Sequence, residues 1–438
     1  MKVGIISLGC IKNLVDTEVM AGVLQRQGDE LVQNVEDAEA IIINTCSFIE
    51  PAKRESIETI LDSARFKHKG NCKWLIITGC LVQNYGKQLL DLLPESDIIV
   101  GTGEFYKIDT ILNEIKDSSG HKRVYYIDEP LFLYDHTIPR KRLSLPHLAY
   151  VKISEGCDHK CSFCLIPRLR GHYRNRERES ILCECRNLAA EGIKEICLIA
   201  QDTTAYPKLP SLVEQIAEQI YPVWLRILYT YPVGITAELL NVMSAHDNIC
   251  NYIDIPIQHI NDKILKAMNR SGSKTQIKNT ISLIQRTLPG ASLRTTLMVG
   301  FPGEGDAEFE ELIHFVREGY FDHLGTFTYS REENTSAYYL EKQVPLSKKK
   351  ERYDILMQIQ AEISNRKTSQ FVGTIQEVII DCPHPEREGF LLGRTKTQAP
   401  DIDGCVLIKT GPSDFHYGDI APMQIYDSDT YDLFAQPV

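Results

Sequence analysis

The chain has 438 residues, 43% of them hydrophobic and 24% charged, with a formal net charge of −11. That is the make-up of a soluble globular protein with room for roughly three domains at about 150 residues each. An excess of acid excludes a broad nucleic-acid surface, and no window approaches the ~18 consecutive apolar residues of a membrane span.

The opening MKVGIISLGC lacks the long apolar region and small-residue cleavage site of a signal peptide, so an unprocessed cytoplasmic protein is expected. Thirteen cysteines are many for such a chain. In a reducing compartment they read as packing thiols, metal ligands or catalysts rather than as disulfides.

Residues 1–118 alternate short apolar runs with helical patterns. VGIISL (3–8), AIIIN (40–44), WLIIT (74–78) and DIIVG (97–101) read as buried strands, with helices from about Asn13 to Gln27 and from about Pro51 to Ala64. This alternation predicts an α/β domain on a parallel sheet. Residues 119–146 read as a connecting segment with one candidate strand, VYYI (124–127). From 147 to 370 six candidate strands recur at 149–154, 195–200, 224–229, 252–257, 293–299 and 324–330, with helical stretches between and a charged helix from about Lys348 to Gln370. Six such units predict a partial (βα)6 barrel rather than a closed eight-stranded one.

Residues 371–438 change character. TIQEVII, GFLLGR, GCVLIK and APMQIY are short strands broken by Pro, Gly and Asp, as in a small all-β barrel. Eleven acidic residues stand against four basic ones there, a net charge of −7. Such a module repels phosphate and attracts a basic protein.

Two cysteine sets carry chemistry. GCDHKCSFC places Cys157, Cys161 and Cys164 at CxxxCxxC spacing directly after a strand. Thiolates are the ligands iron–sulfur clusters take, and three of them leave one iron of a 4Fe–4S cubane open. A structural zinc site, which normally closes on four ligands, is the alternative. Cys10, Cys46 and Cys80 each follow an apolar strand, in IISLGC, IIINTC and LIITGC. Similar offsets after parallel strands would gather three thiols at one carboxyl edge, where such folds bind ligands. This looks like a second cluster; three separate core cysteines are the alternative. The basic run Arg168, Arg170, His172, Arg174, Arg176 and Arg178 reads equally as a solvated loop or an anion site.

The CxxxCxxC run resembles the radical S-adenosylmethionine (AdoMet) superfamily. The resemblance implies that Cys157, Cys161 and Cys164 are catalytic, with AdoMet on the open iron and Phe163 beside the adenine. It gives cofactor contacts to the Gly-rich LMVGFPGE (297–304), with Gly300 and Gly303, and to Gln201, Arg226 and Gln258 at the barrel mouth, where Asp202 also points.

Two triads with a terminal β-module resemble the methylthiotransferases over nearly the whole chain, the last part resembling a TRAM domain. SLGCIKNLVD (7–16), INTCSFIEPAKRESI (43–57), KISEGCDHKCSFCLIPRLRG (152–171), AQDTTAYP (200–207), DIPIQH (254–259) and APDIDG (399–404) carry the likeness to members that modify a ribosomal protein. Ser47, Arg331 and Asn334 depart from it, standing where Gly, Pro and Gly are usual.

The resemblance implies C–H methylthiolation of an aspartate β-carbon on a basic small-subunit ribosomal protein, S-twelve. One AdoMet is cleaved at the barrel cluster to give the abstracting radical, the N-terminal cluster presents sulfur, and a second AdoMet supplies the methyl group. An external electron donor and a sulfur source are then needed, with no membrane and no direct tRNA substrate, and a monomer is expected. A tRNA adenosine methylthiotransferase and a non-catalytic iron–sulfur protein are the competing readings.

Overall fold

The computed structural model describes residues 1–117, 123–409 and 415–438. Residues 119–122 of the connecting segment and Asp414 of the acidic tail lie outside the described residues. Among the described residues no helix is long and apolar enough to cross a membrane. The chain forms two compact units.

The first unit comprises Met1–Leu143, Lys152–Ile181 and Glu332–Thr335. Its sheet holds β1 (Lys2–Ser7), β2 (Glu30–Val32), β3 (Ala40–Thr45), β4 (Trp74–Gly79), β5 (Ile98–Val100) and β6 (Val124–Tyr126). Their order is β2-β1-β3-β4-β5-β6, and every pairing is parallel. β3 and β4 are buried along their whole length, which is why they read as unbroken apolar runs rather than alternating ones. Ile41, Ile43, Leu75 and Ile77 pack with Ile60 of helix Glu50–Ala64 and with Leu81 and Val82 of helix Cys80–Tyr85. VYYI is indeed a strand, but it belongs to this sheet: β6 pairs with β5 at its edge. β2 escaped the sequence reading because three residues show no period.

Lys152 ends β7 (Leu148–Lys152) and opens the second stretch of this unit. There β8 (Ser154–Glu155) and β9 (Arg174–Asn175) pair antiparallel and draw together the two ends of the CxxxCxxC loop. Gly156 lies at the neck of that loop with φ +76°. A Cβ there would come within 2.6 Å of the Gly171 carbonyl oxygen, so only glycine fits.

The second unit comprises Ser144–Val151, Leu182–Arg331 and Ser336–Val438. Its strands are β10 (Glu195–Ile199), β11 (Trp224–Ile227), β12 (Tyr252–Asp254), β13 (Ser292–Val299) and β14 (His323–Thr328). With β7 they form two three-stranded sheets, β11-β10-β7 and β12-β13-β14, joined by a parallel bridge between Leu225 and Ile249. That is the expected partial barrel of six strands.

Helix Leu346–Thr368 leads to β15 (Ile375–Pro383), β16 (Phe390–Arg394), β17 (Val406–Lys409), β18 (Ile420–Ser428) and β19 (Leu433–Pro437). These close into a barrel in the order β15-β16-β17-β19-β18, with bulges at Ile380/Cys382 and Ile425/Asp427 that bend the strands round. β19 is the strand the sequence reading lacked.

This terminal barrel is fixed to the amino ends of the larger barrel's strands. Arg394 bonds Glu195, the first residue of β10, at 2.6 Å and Asp381 at 2.7 Å. The APDIDG segment makes the other contacts. Asp401 accepts from the Tyr150 hydroxyl at 3.0 Å, and Asp403 accepts from Tyr252 at 2.7 Å and Arg294 at 2.6 Å.

Candidate functional site

Cys10, Cys46 and Cys80 follow β1, β3 and β4, which are neighbours in the sheet, so their thiols share one carboxyl edge. Gly9 and Gly79, each just before a cysteine, take φ of +84° and +97°. A Cβ on Gly9 would sit 2.9 Å from the Cys46 sulfur, and one on Gly79 would sit 2.6 Å from the Thr45 carbonyl oxygen. Both glycines let the chain turn where the thiols crowd together.

Asn13, on helix Ile11–Arg26, donates to the carbonyls of Leu8 and Thr45, both at 3.0 Å, tying the ends of β1 and β3. Ser56 exchanges hydrogen bonds with the Cys46 backbone at 3.1 and 3.0 Å.

Cys46 and Cys80 are each 7% exposed, while Cys10 is exposed. Burial pushes the Cys46 thiol up to about 12, and the nearby Cys80 and Cys10 thiols add to the rise. Burial also raises Cys80, with Arg170 opposing it and Cys10 reinforcing it. The three sulfurs therefore sense one another. Taking iron as thiolates would release protons from Cys46 and Cys80.

In the second triad Cys157, Cys161 and Cys164 are half-exposed. Its loop is pinned by Cys157 N–H to the Gly171 carbonyl at 3.2 Å and Cys164 N–H to the Cys161 carbonyl at 3.1 Å. The Ile166 N–H donates to the Cys164 sulfur at 3.4 Å. Phe163 is half-buried beside it. Among the described residues no three His, Cys, Asp or Glu converge on a point as a single metal ion needs. A cubane asks for a wider triangle, because each thiolate takes a different iron, and each triad fits that donor set.

Both triads fall in the same compact unit. Cys80 packs on Leu165 and Leu169 of the second loop. Below them lies a buried charge cluster that sequence reasoning missed. Lys152 bonds Asp16 at 2.6 Å and Glu155 at 2.5 Å. Arg170 bonds Asp16 and the Asn13 side-chain Oδ1 and reaches the Cys80 sulfur at 3.7 Å. Asp16 and Arg170 lie near cysteines in sequence, but only the fold pairs them across 154 positions. Two of the six residues of the basic run are thus internal: Arg170 is spent here, and Arg176 is 2% exposed, bonded to the Lys152 carbonyl at 3.0 Å and stacked 4.2 Å over Tyr134.

Of the expected cofactor contacts Phe163 lies in the first unit and the others in the second, where most sit at the carboxyl ends of strands. Gln201 follows β10, Gln258 follows β12, and Gly300 and Gly303 follow β13. Gln258 has φ +70°, a strained value for a non-glycine, held by bonds to Thr296 O at 2.9 Å and from Met298 N–H at 2.7 Å. Gly300 has φ +72°, and its N–H donates to Glu304 at 2.9 Å. Asp202 is a local cap, accepting from Ala205 N–H at 3.2 Å.

Arg226 is a correction. Its guanidinium is fully buried, bonded to Glu195 at 2.7 Å and to the Lys396 carbonyl at 2.9 Å, and stacked 4.9 Å over Tyr252. Glu195 and Tyr252 both open their strands, so Arg226 points to the amino end of the barrel, away from the mouth. Two opposed directions are open to a side chain on β11, and the charged partners lie at the far one.

Comparison with known proteins gives the class. Residues 151–316 match a model for the Radical SAM superfamily, residues 372–438 one for the TRAM domain, and residues 2–101 one described as "Uncharacterized protein family UPF0004". Among solved structures, the radical AdoMet methyltransferase TsrM of Kitasatospora setae, with cobalamin and a [4Fe-4S] cluster bound, shares the fold. It has a TM-score of 0.56 and 14% identity, covering 86% of this chain and 80% of that one. The Radical SAM match spans the CxxxCxxC loop and five of the strands that follow, so the class is that of the radical AdoMet enzymes.

Full-length relatives narrow it. The ribosomal protein uS12 methylthiotransferase RimO of Geotalea uraniireducens is 46% identical over 100% of this chain and 98% of its own length. The protein of the same name from Clostridioides difficile is 43% identical, over 99% and 98%. The chain belongs to the RimO family of ribosomal protein uS12 methylthiotransferases.

Proposed function

We propose that this chain replaces a β-carbon hydrogen of an aspartate on ribosomal protein uS12 by a methylthio group. The observation that carries the reading is the packing of two three-cysteine sets, one on a sheet edge and one on a CxxxCxxC loop, in a single unit. Cys10, Cys46 and Cys80 would hold one 4Fe–4S cluster and Cys157, Cys161 and Cys164 the other, each with an iron left for a non-protein ligand. Together with AdoMet these groups supply the radical, the sulfur and the methyl group.

The chain's own part is to bind, orient and exclude water. A β-carbon hydrogen is far too weakly acidic for any side-chain base, so no titratable residue is assigned to remove it. Asn13 and Ser56 fix the backbone that presents the first triad. Gly156 and the β8–β9 pairing fix the loop that presents the second. Cofactor contacts are assigned to Phe163 in the first unit and to Gln201, Gln258, Gly300 and Gly303 in the second, and none to Arg226. We assign residues 1–118, 147–370 and 371–438 to the sulfur, radical and substrate-docking tasks, with 119–146 connecting the first two.

The working unit is a monomer, served by an external electron donor and a sulfur source. Anaerobic incubation with AdoMet, reductant and either uS12 or tRNA, followed by mass spectrometry, tests the substrate. A gain of about 46 Da on uS12 is expected. A gain on tRNA alone would replace this reading with the nucleic-acid one.

A further inference from the structure

Arg170 joins the segment that follows the second cysteine set to a sulfur of the first. Its side chain is 3% exposed and lies on helix Ile166–Arg170, directly after the second triad, yet its guanidinium ends against the first. One terminal nitrogen bonds Asp16, and the other serves the Asn13 side-chain Oδ1 and the Cys80 sulfur, the last at 3.7 Å. Glu155 stands 3.7 Å away and shares Lys152. Lys152 and Arg170 balance Asp16 and Glu155, so the quartet is neutral by itself. A ligating sulfur at Cys80 would add negative charge on the side that Arg170 faces, out of water, where a charge-assisted donor is strong.

We propose that Arg170 is a positioning residue that donates to the Cys80 sulfur and sets the reduction potential of the N-terminal cluster less negative than the bare thiolates would. Hydrogen bonds and net charge at the sulfurs are the levers by which a protein tunes such a cluster. The quartet also makes this tuning depend on the segment that carries the other cluster, since Arg170 and Glu155 flank the CxxxCxxC loop on either side. The inference rests on the reading of Cys10, Cys46 and Cys80 as cluster ligands.

The test uses the full chain with Cys157, Cys161 and Cys164 all changed to Ala, which leaves only the N-terminal set to be reconstituted. Iron content is measured first, then the midpoint potential by EPR-monitored titration. About four irons per chain are expected in this background. Added Arg170→Gln should shift the midpoint to a more negative potential, with Arg170→Lys shifted less. Should Arg170→Gln fail to fold, Asp16→Asn with Arg170→Gln keeps the quartet neutral and is read the same way, and Arg170→Lys alone decides if neither loads iron. An unchanged midpoint in an iron-loaded variant would overturn the role of Arg170. A background chain that takes up no iron would instead overturn the ligand assignment beneath it.

Discussion

Single residues account for the departures expected from the family resemblance. Asn334 stands where the resemblance leads one to expect glycine, and its φ is +67°. Asparagine is among the few other residues that accept that conformation, so the exchange keeps the turn. Asn334→Gly should leave the unfolding midpoint nearly unchanged, while Asn334→Val should lower stability by about 1–3 kcal/mol in thermal or denaturant unfolding. Arg331, where the resemblance leads one to expect proline, donates to the Tyr338 carbonyl at 2.9 Å and stacks on its ring. Ser47 is fully buried and accepts from Asn84 at 3.2 Å.

Gly79 is the opposite case. With φ +97° and the Thr45 carbonyl 2.6 Å from any added Cβ, Gly79→Ala should cost about 1–3 kcal/mol and displace Cys80. The iron content of the reconstituted chain should fall toward half, because only one triad stays intact. Full iron loading would show that Cys80 tolerates the shift. The strand-end placement of Cys10, Cys46 and Cys80 and the CxxxCxxC loop were legible because spacing and offsets are local signals. Arg170, Asp16 and the true direction of Arg226 were not, because each depends on partners far off in sequence.

Among elements, the strands with strong apolar runs could be read directly, and the weak ones could not. β3 and β4 announce themselves by burial on both faces, whereas β2 is three residues long and β19 ends in Gln and Pro. The pairing of β6 with β5 is a tertiary choice that VYYI alone does not specify. The joint between the terminal barrel and the strand ends was equally hidden, since APDIDG carried a family likeness and no sign of a contact.

That joint makes a pH prediction. Burial pushes the Glu195 carboxyl up, and Arg394 and Arg226 beside it more than reverse this, leaving it below its ordinary 4.5. Burial likewise raises Asp381, and the bonds from His147 and Arg394 bring it below 3.8. A carboxylate with a lowered folded-state pKa stabilises the fold above its unfolded value, and that contribution is lost as pH falls through the folded one. The unfolding midpoint of the chain should therefore hold down to about pH 5 and drop below about pH 4. Glu195→Gln leaves two buried guanidiniums short of a counter-charge and should cost roughly 3–5 kcal/mol at neutral pH. A loss below 1 kcal/mol would show that the terminal barrel is held by other contacts.

At the scale of the molecule, charge points to the partner, but less of it is available than the composition implies. Of the acids in the tail, Asp381 and Asp403 are committed to Arg394 and Arg294. Glu386, Glu388, Asp427 and Asp429 are exposed. In the proposed docking these are groups that would steer the substrate protein. Binding of uS12 should weaken as salt rises from about 50 to about 300 mM, and Glu386→Gln with Glu388→Gln should flatten that dependence. Binding indifferent to salt would remove the tail from substrate docking.

The central claim is a division of labour between two cysteine sets in one unit. It is tested most directly by one anaerobic assay with AdoMet, reductant and uS12, reading 5′-deoxyadenosine and the uS12 mass in parallel for Cys10→Ala and Cys157→Ala. Cys157→Ala should abolish both products. Cys10→Ala should still form 5′-deoxyadenosine but leave uS12 without the gain of about 46 Da. Methylthiolated uS12 from the Cys10→Ala chain would contradict the account.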